Sequence, residues 1–130
     1  MSERKKILIV DDNEIHLSLA EATLNLKYDV ITAKSGHDAL MKIVKGNIPD
    51  LVLLDIVMPG MDGWDTYTNL NGITLLRDIP IAFLTSSDRK EDRKYARKLG
   101  SADYITKPYT EEELLRSVET ILHRQGIKNN

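Results

Sequence analysis

Residues 51–58 read Leu51-Val52-Leu53-Leu54-Asp55-Ile56-Val57-Met58, four apolar residues in a row that end on a carboxylate. A strand with one wet face alternates polar and apolar residues. A short run apolar at every position instead suits a strand buried on both faces, as in a parallel sheet covered by helices. The same pattern recurs on either side. Ile7-Leu8-Ile9-Val10 stops at Asp11-Asp12, and Ile81-Ala82-Phe83-Leu84 stops at Thr85-Ser86-Ser87. Two weaker strands read as Tyr28–Ala33 and Ala102–Ile105.

Helical patterns lie between the strands. Ile15, Leu19, Ala22 and Leu26 follow i, i+4, i+7, i+11 spacing and predict the buried stripe of a first helix. Ala39, Leu40, Ile43 and Val44 form a second stripe, opened by Ser35-Gly36 and closed near Gly46. Thr110-Glu111-Glu112-Glu113 is a capping box. The helix it opens carries Leu114, Leu115, Val118, Ile121 and Leu122 on one face, with Gly126 as the expected stop. From Asp88 to Leu99, with Asp88 as cap and Glu91 as its partner, the apolar face is only Tyr95, Ala96 and Leu99. A helix so thinly buried is expected to be loosely held. Strands alternating with helices imply βαβ units with right-handed crossovers, and five of them fit one domain.

Ligands of open α/β sheets bind beyond the carboxyl ends of the strands. The residues found there are Asp11 and Asp12, Asp55, Thr85, and Lys107 after the last strand. Should the first, third and fourth strands be neighbours, three carboxylates, a hydroxyl and an ammonium converge. Carboxylates crowded together either raise a pKa or bind a cation, and an all-oxygen set without His or Cys favours Mg²⁺ over zinc. Each residue alone has an ordinary explanation: a helix cap for Asp11-Asp12, a turn for Thr85, a solvated amine for Lys107. Their joint occurrence at one end of successive strands points to a site.

Composition agrees with a globular domain. The 130 residues are 42% hydrophobic and 29% charged, with a net charge of -2 and no cysteine. No apolar run approaches the ~20 residues of a membrane span, and the charged start is no signal peptide. The chain is expected to be cytoplasmic. Arg89, Lys90, Arg93, Lys94, Arg97 and Lys98 make one basic stretch, but Asp88, Glu91 and Asp92 interleave with it. Without stacking aromatics, this argues for a solvated face or a dock for an acidic protein rather than for nucleic acid. His16, His37 and His123 fall on separate helices and read as surface residues, while Trp64 stays open between the core and the pocket rim.

Four segments together resemble the receiver domain of response regulators over nearly the whole chain. They are Ile9-Val10-Asp11-Asp12-Asn13, Leu53 through Gly63 (LLDIVMPGMDG), Leu84-Thr85-Ser86, and Thr106-Lys107-Pro108-Tyr109. The resemblance implies a single receiver domain over 1–130, core about 6–125, without an output domain. It implies a doubly wound, flavodoxin-like α/β fold: five parallel strands in order 2-1-3-4-5, with helices on both faces. Asp55 would be the phosphoacceptor, served by a histidine kinase or histidine phosphotransferase. Asp12 and Asp55 would ligate Mg²⁺ with the carbonyl of Val57, and Asp11 would act through water. Lys107 would pair with phosphoryl oxygens, Thr85 would move to bond one of them, and Tyr104 would be the switch aromatic. The Lys107–Pro108 peptide would be cis. The signal would pass to a downstream protein, with the chain a monomer or a phosphorylation-dependent dimer.

Two details bear on the chemistry. Ser86 stands where the family usually has alanine or glycine, and its extra hydroxyl bears on access to the phosphoryl group and on the rate of dephosphorylation. Val57 offers no polar group to orient an attacking water, so the phosphorylated form is expected not to be unusually short-lived. A phosphohydrolase of the haloacid-dehalogenase type is a competing class. It would need an Asp two positions beyond the nucleophile, and Val57 is there. A receiver-like scaffold that binds partners without phosphorylation is a third, but no acceptor, metal or switch residue is missing.

Overall fold

In the computed structural model, which describes residues 4–129 and side chains as far as 127, the apolar runs become the middle of one sheet. Its strands are β1 (Lys6–Val10), β2 (Asp29–Ala33), β3 (Leu51–Leu54), β4 (Ile81–Thr85) and β5 (Tyr104–Thr106). All pair in parallel, in the order β2-β1-β3-β4-β5. This is the flavodoxin-like order. Between them lie α1 (Glu14–Leu24), α2 (Gly36–Val44), α3 (Gly63–Asn71), α4 (Lys90–Leu99) and α5 (Glu111–Asn129).

Alternate strand residues point to opposite faces, and each face has its own core. Leu8, Val10, Val52, Leu54 and Phe83 pack toward α2 and α3, whereas Ile7, Ile9, Leu51, Leu53 and Leu84 pack toward α1 and α5. Every residue of β3 and β4 is buried, as the unbroken apolar runs require.

Local chemistry sets the helix starts. Asn13 caps α1, Ser35 caps α2 and Asp62 caps α3, each accepting from backbone N–H groups of the first turn. The Thr110 capping box closes in both directions, with Glu113 N donating to Thr110 Oγ1 at 3.0 Å and Thr110 N donating to Glu113 Oε1 at 2.9 Å.

Three readings are corrected, and one helix was not anticipated. The buried side of α1 is Leu17, Ala20, Thr23 and Leu24, while Ile15 is 72% and Leu19 59% exposed, so the predicted stripe faces outward. Both sides of the helix are apolar, and only the sheet selects between them. Asp88 does not cap α4: Arg89 holds the cap position with no side-chain bond to the first-turn amides, and Asp88 lies before it. The last helix runs through Gly126 to Asn129, since Gly126 does not adopt the left-handed conformation that would end it. Finally, α3 has no sequence stripe of its own; it buries Gly63, Thr66, Tyr67 and Leu70, a mixed set that periodicity does not reveal. The thin burial expected of α4 holds, with Ala96 its only buried residue.

Candidate functional site

The ladder that builds the sheet also assembles the site. Val10 pairs with Leu54, so the residues after them become neighbours, and Asp55 N donates to Val10 O at 3.0 Å. Thr85 pairs with Thr106, and Lys107 N donates to Thr85 O at 2.9 Å. Four side chains from distant parts of the chain thus meet at the carboxyl edge. Ligand oxygens of Asp11, Asp12 and Asp55 all lie within 4.8 Å of one another. Asp11 and Asp55 are buried and Asp12 is exposed, which leaves the cluster one face open to solvent.

Lys107 provides the opposite charge. Its Nζ lies 2.5 Å from Asp11 Oδ2 and 3.6 Å from Asp55 Oδ2, and its side chain is only 8% exposed. Burial pushes the Asp55 carboxyl above its ordinary value of 3.8. The Thr85 hydroxyl, the Lys107 ammonium and the Ile56 amide, which donates to Asp55 Oδ1 at 2.8 Å, pull it down, while the charge of Asp11 adds to the upward push. Three carboxylates and one ammonium leave net negative charge, and the clustered candidate ligand atoms are all carboxylate oxygens. That donor set fits Mg²⁺, which prefers oxygen ligands and keeps several waters on its open side.

The loop from Ile56 to Gly63 walls the pocket. Gly63 N donates to Ile56 O at 2.7 Å, folding the chain back against Asp55. A Cβ at Gly63 would stand 2.2 Å from Asp55 O and 2.5 Å from Ile56 Cα, so only glycine permits this approach. The Val57 side chain points away from the protein, 72% exposed.

Tyr104 is half-buried at the start of β5, paired with Phe83 of β4. Its hydroxyl donates to Ser87 O at 2.8 Å, its ring centroid is 6.3 Å from that of Phe83, and the Arg93 guanidinium sits 4.8 Å above it. Trp64 belongs to the same aromatic cluster, edge-on to Phe83 and Tyr95 at 4.9 and 4.8 Å. The Lys107–Pro108 peptide is cis.

One residue was misplaced by sequence reasoning. His16 is not an isolated surface residue: its Nδ1 is 3.1 Å from Lys107 Nζ. The available signal was its position, since the first turn of a helix that follows a strand end stays beside that end. No helix among the described residues is long and apolar enough to cross a membrane.

The model of the response regulator receiver domain matches residues 7–119. The alkaline phosphatase synthesis transcriptional regulatory protein PhoP of Bacillus subtilis is 40% identical over 124 residues, covering 95% of this chain but 50% of that protein. The chain therefore spans about half of that relative. Protein PilG of Pseudomonas aeruginosa is 35% identical over 119 residues, covering 91% of this chain and 87% of PilG. Among solved structures, a CheY-like response regulator receiver domain protein from Methanospirillum hungatei superposes with a TM-score of 0.87 at 27% identity, over 97% of this chain and 99% of its own.

Proposed function

The chain belongs to the response regulator receiver domain family, and from that premise we propose that it is a phosphorylation switch whose acceptor is Asp55. The observation that carries the reading is the buried Asp55 carboxylate beside two further carboxylates and within 3.6 Å of the Lys107 ammonium. A buried carboxylate with only a structural role would be matched by a cation, not crowded by two more carboxylates. One that must accept a dianionic group needs cations on both sides of it.

The donor is a histidine kinase or histidine phosphotransferase. An Asp55 carboxylate oxygen attacks phosphorus, the donor's N–P bond breaks, and the phosphoryl group remains on Asp55 as a mixed anhydride. Asp12, Asp55 and the carbonyl of Val57 would hold Mg²⁺, with Asp11 contributing through water, and the bound ion would supply neutralisation of charge on the transferring oxygens. Lys107 gives up part of its pairing with Asp11 and Asp55 to meet the new oxygens. Thr85, fully buried at the end of β4, offers its hydroxyl to one of them. That movement draws on Ser87, whose amide donates to Thr85 Oγ1 at 3.3 Å and whose carbonyl holds Tyr104. Releasing this carbonyl lets Tyr104 turn inward and loosens α4, the thinly anchored helix, toward a downstream protein. Hydrolysis of the anhydride resets the switch, and the exposed apolar Val57 leaves the attacking water unoriented.

The donor's approach has physical support as well. The exposed Ile15 and Leu19 of α1 lead to a cavity of about 470 Å³ walled by His16, Leu19, Ala22, Lys107, Pro108 and Tyr109, which opens beside the ammonium. In this reading the chain is a single receiver domain over 1–130 that acts in the cytoplasm, as a monomer or a phosphorylation-dependent dimer.

Incubation with acetyl phosphate and Mg²⁺, followed by intact mass, tests the chemistry. The expected result is a gain of about 80 Da, one phosphoryl group, that is absent from Asp55→Asn. An unchanged mass in the wild type would support a scaffold that binds partners unphosphorylated.

A further inference from the structure

The imidazole of His16 is held against Lys107 by the start of α1. Asn13 Oδ1 accepts from Ile15 N and His16 N, both at 3.0 Å, which sets the first turn directly after Asp11-Asp12. From there His16 Nδ1 reaches within 3.1 Å of Lys107 Nζ. A lysine ammonium has three hydrogens and no lone pair, so this contact has one sense. Lys107 donates, Nδ1 accepts, and the ring proton resides on Nε2.

The other near acceptors of the ammonium are charged: Asp11 Oδ2 at 2.5 Å and Asp55 Oδ2 at 3.6 Å. Both belong to the carboxylate cluster that would hold the metal. The ammonium is already in contact with Asp11; without a third acceptor it would also close the remaining gap to Asp55, where it competes with a divalent ion for the same oxygens. A neutral third acceptor shares its hydrogens and fixes its place without adding charge.

We propose that His16 is a positioning residue for Lys107, supplying the neutral acceptor that holds the ammonium on the Asp11 side and keeps it from closing onto Asp55. This rests on the phosphoacceptor reading of the same site. His16 does not touch the reacting atoms; it acts through the lysine, by restraining where the charge sits before the phosphoryl group arrives.

The test compares wild type, His16→Asn and His16→Leu. Asparagine can return an acceptor oxygen near the place of Nδ1, and leucine fills similar space with none. Removing a hydrogen bond to a charged donor is expected to weaken calorimetric Mg²⁺ binding about fivefold in His16→Leu. Acetyl phosphate phosphorylation at subsaturating Mg²⁺ slows by a similar factor, while His16→Asn stays within about twofold of wild type. Nitrogen NMR of the wild-type ring should show the proton on Nε2, with Nδ1 losing its hydrogen-bonded shift in Lys107→Met.

Leucine matching wild type, asparagine falling as far as leucine, or a proton on Nδ1 would each overturn the assignment. Should the leucine variant fail to fold by urea denaturation, the ring-nitrogen shifts and the asparagine variant decide. A wild type that binds Mg²⁺ but takes no phosphoryl group defeats the phosphoacceptor reading instead, and the Mg²⁺ and NMR measurements still judge His16.

Discussion

Replacing Asp55 with asparagine removes one charge from the cluster while keeping an oxygen for the Ile56 amide. The carboxylate is attracted to Lys107 at 3.6 Å, worth roughly 4–5 kcal/mol at an effective dielectric near 20. Its repulsion from Asp11, at up to 4.8 Å, is worth roughly 3–4 kcal/mol in the other direction. These nearly cancel, and Asp12, exposed and screened, adds a smaller repulsion. What remains is the burial of the Asp55 charge, which leads the upward push on its carboxyl.

Without metal at pH 7, Asp55→Asn should therefore be more stable than wild type, on the scale of about 1 kcal/mol typical of a single substitution, or roughly 4 °C in Tm. Lys107 keeps Asp11, so no buried cation is orphaned. The pH dependence has a definite sign. A carboxyl whose folded pKa lies above its ordinary 3.8 contributes most below 3.8, and that contribution is lost as pH rises through the folded value. The advantage of the variant should accordingly shrink on acidification through that range. Mg²⁺ should reverse the order, because the variant lacks a ligand while a site filled at one hundred times Kd stabilises wild type by about 2.7 kcal/mol. Urea denaturation of both proteins, in EDTA and in Mg²⁺, measures all of this. A variant less stable than wild type in EDTA at pH 7 would refute the electrostatic reasoning.

The two faces of α1 can be told apart by truncation: Leu17→Ala should lose about 2–4 kcal/mol in chemical denaturation, and Leu19→Ala less than about 0.5 kcal/mol. In a mass assay with a phosphorylated donor, Leu19→Ala should nonetheless slow transfer while leaving acetyl phosphate phosphorylation unchanged. Equal stability losses for the two would contradict the observed packing. Gly63→Ala, whose Cβ would meet backbone at 2.2 Å, should cost at least about 2–3 kcal/mol and weaken Mg²⁺ binding, both readable by calorimetry; a fully stable variant would mean the pocket loop can move aside freely.

Much of this molecule could be read along the chain because its signals are local. Four-residue apolar runs ending in Asp55, Asp11-Asp12 and Thr85 mark strands buried on both faces, and burial on both faces implies a parallel sheet whose ends carry the polar groups. Ser35 and the Thr110 box announce helix starts, since a cap satisfies its own first-turn amides. The strand order itself rested on resemblance, because pairing joins residues that local pattern does not connect. Only the folded sheet decides which side of α1 is buried, since Ile15-Leu19-Ala22 and Leu17-Ala20-Leu24 have equal claim by periodicity and the register of packing breaks the tie. The tertiary structure likewise brings His16, Lys107 and Asp11 within hydrogen-bonding distance across more than ninety residues. Periodicity describes one segment's relation to an unspecified interior. A contact between two segments depends on how both are placed, and that placement is a property of the whole fold.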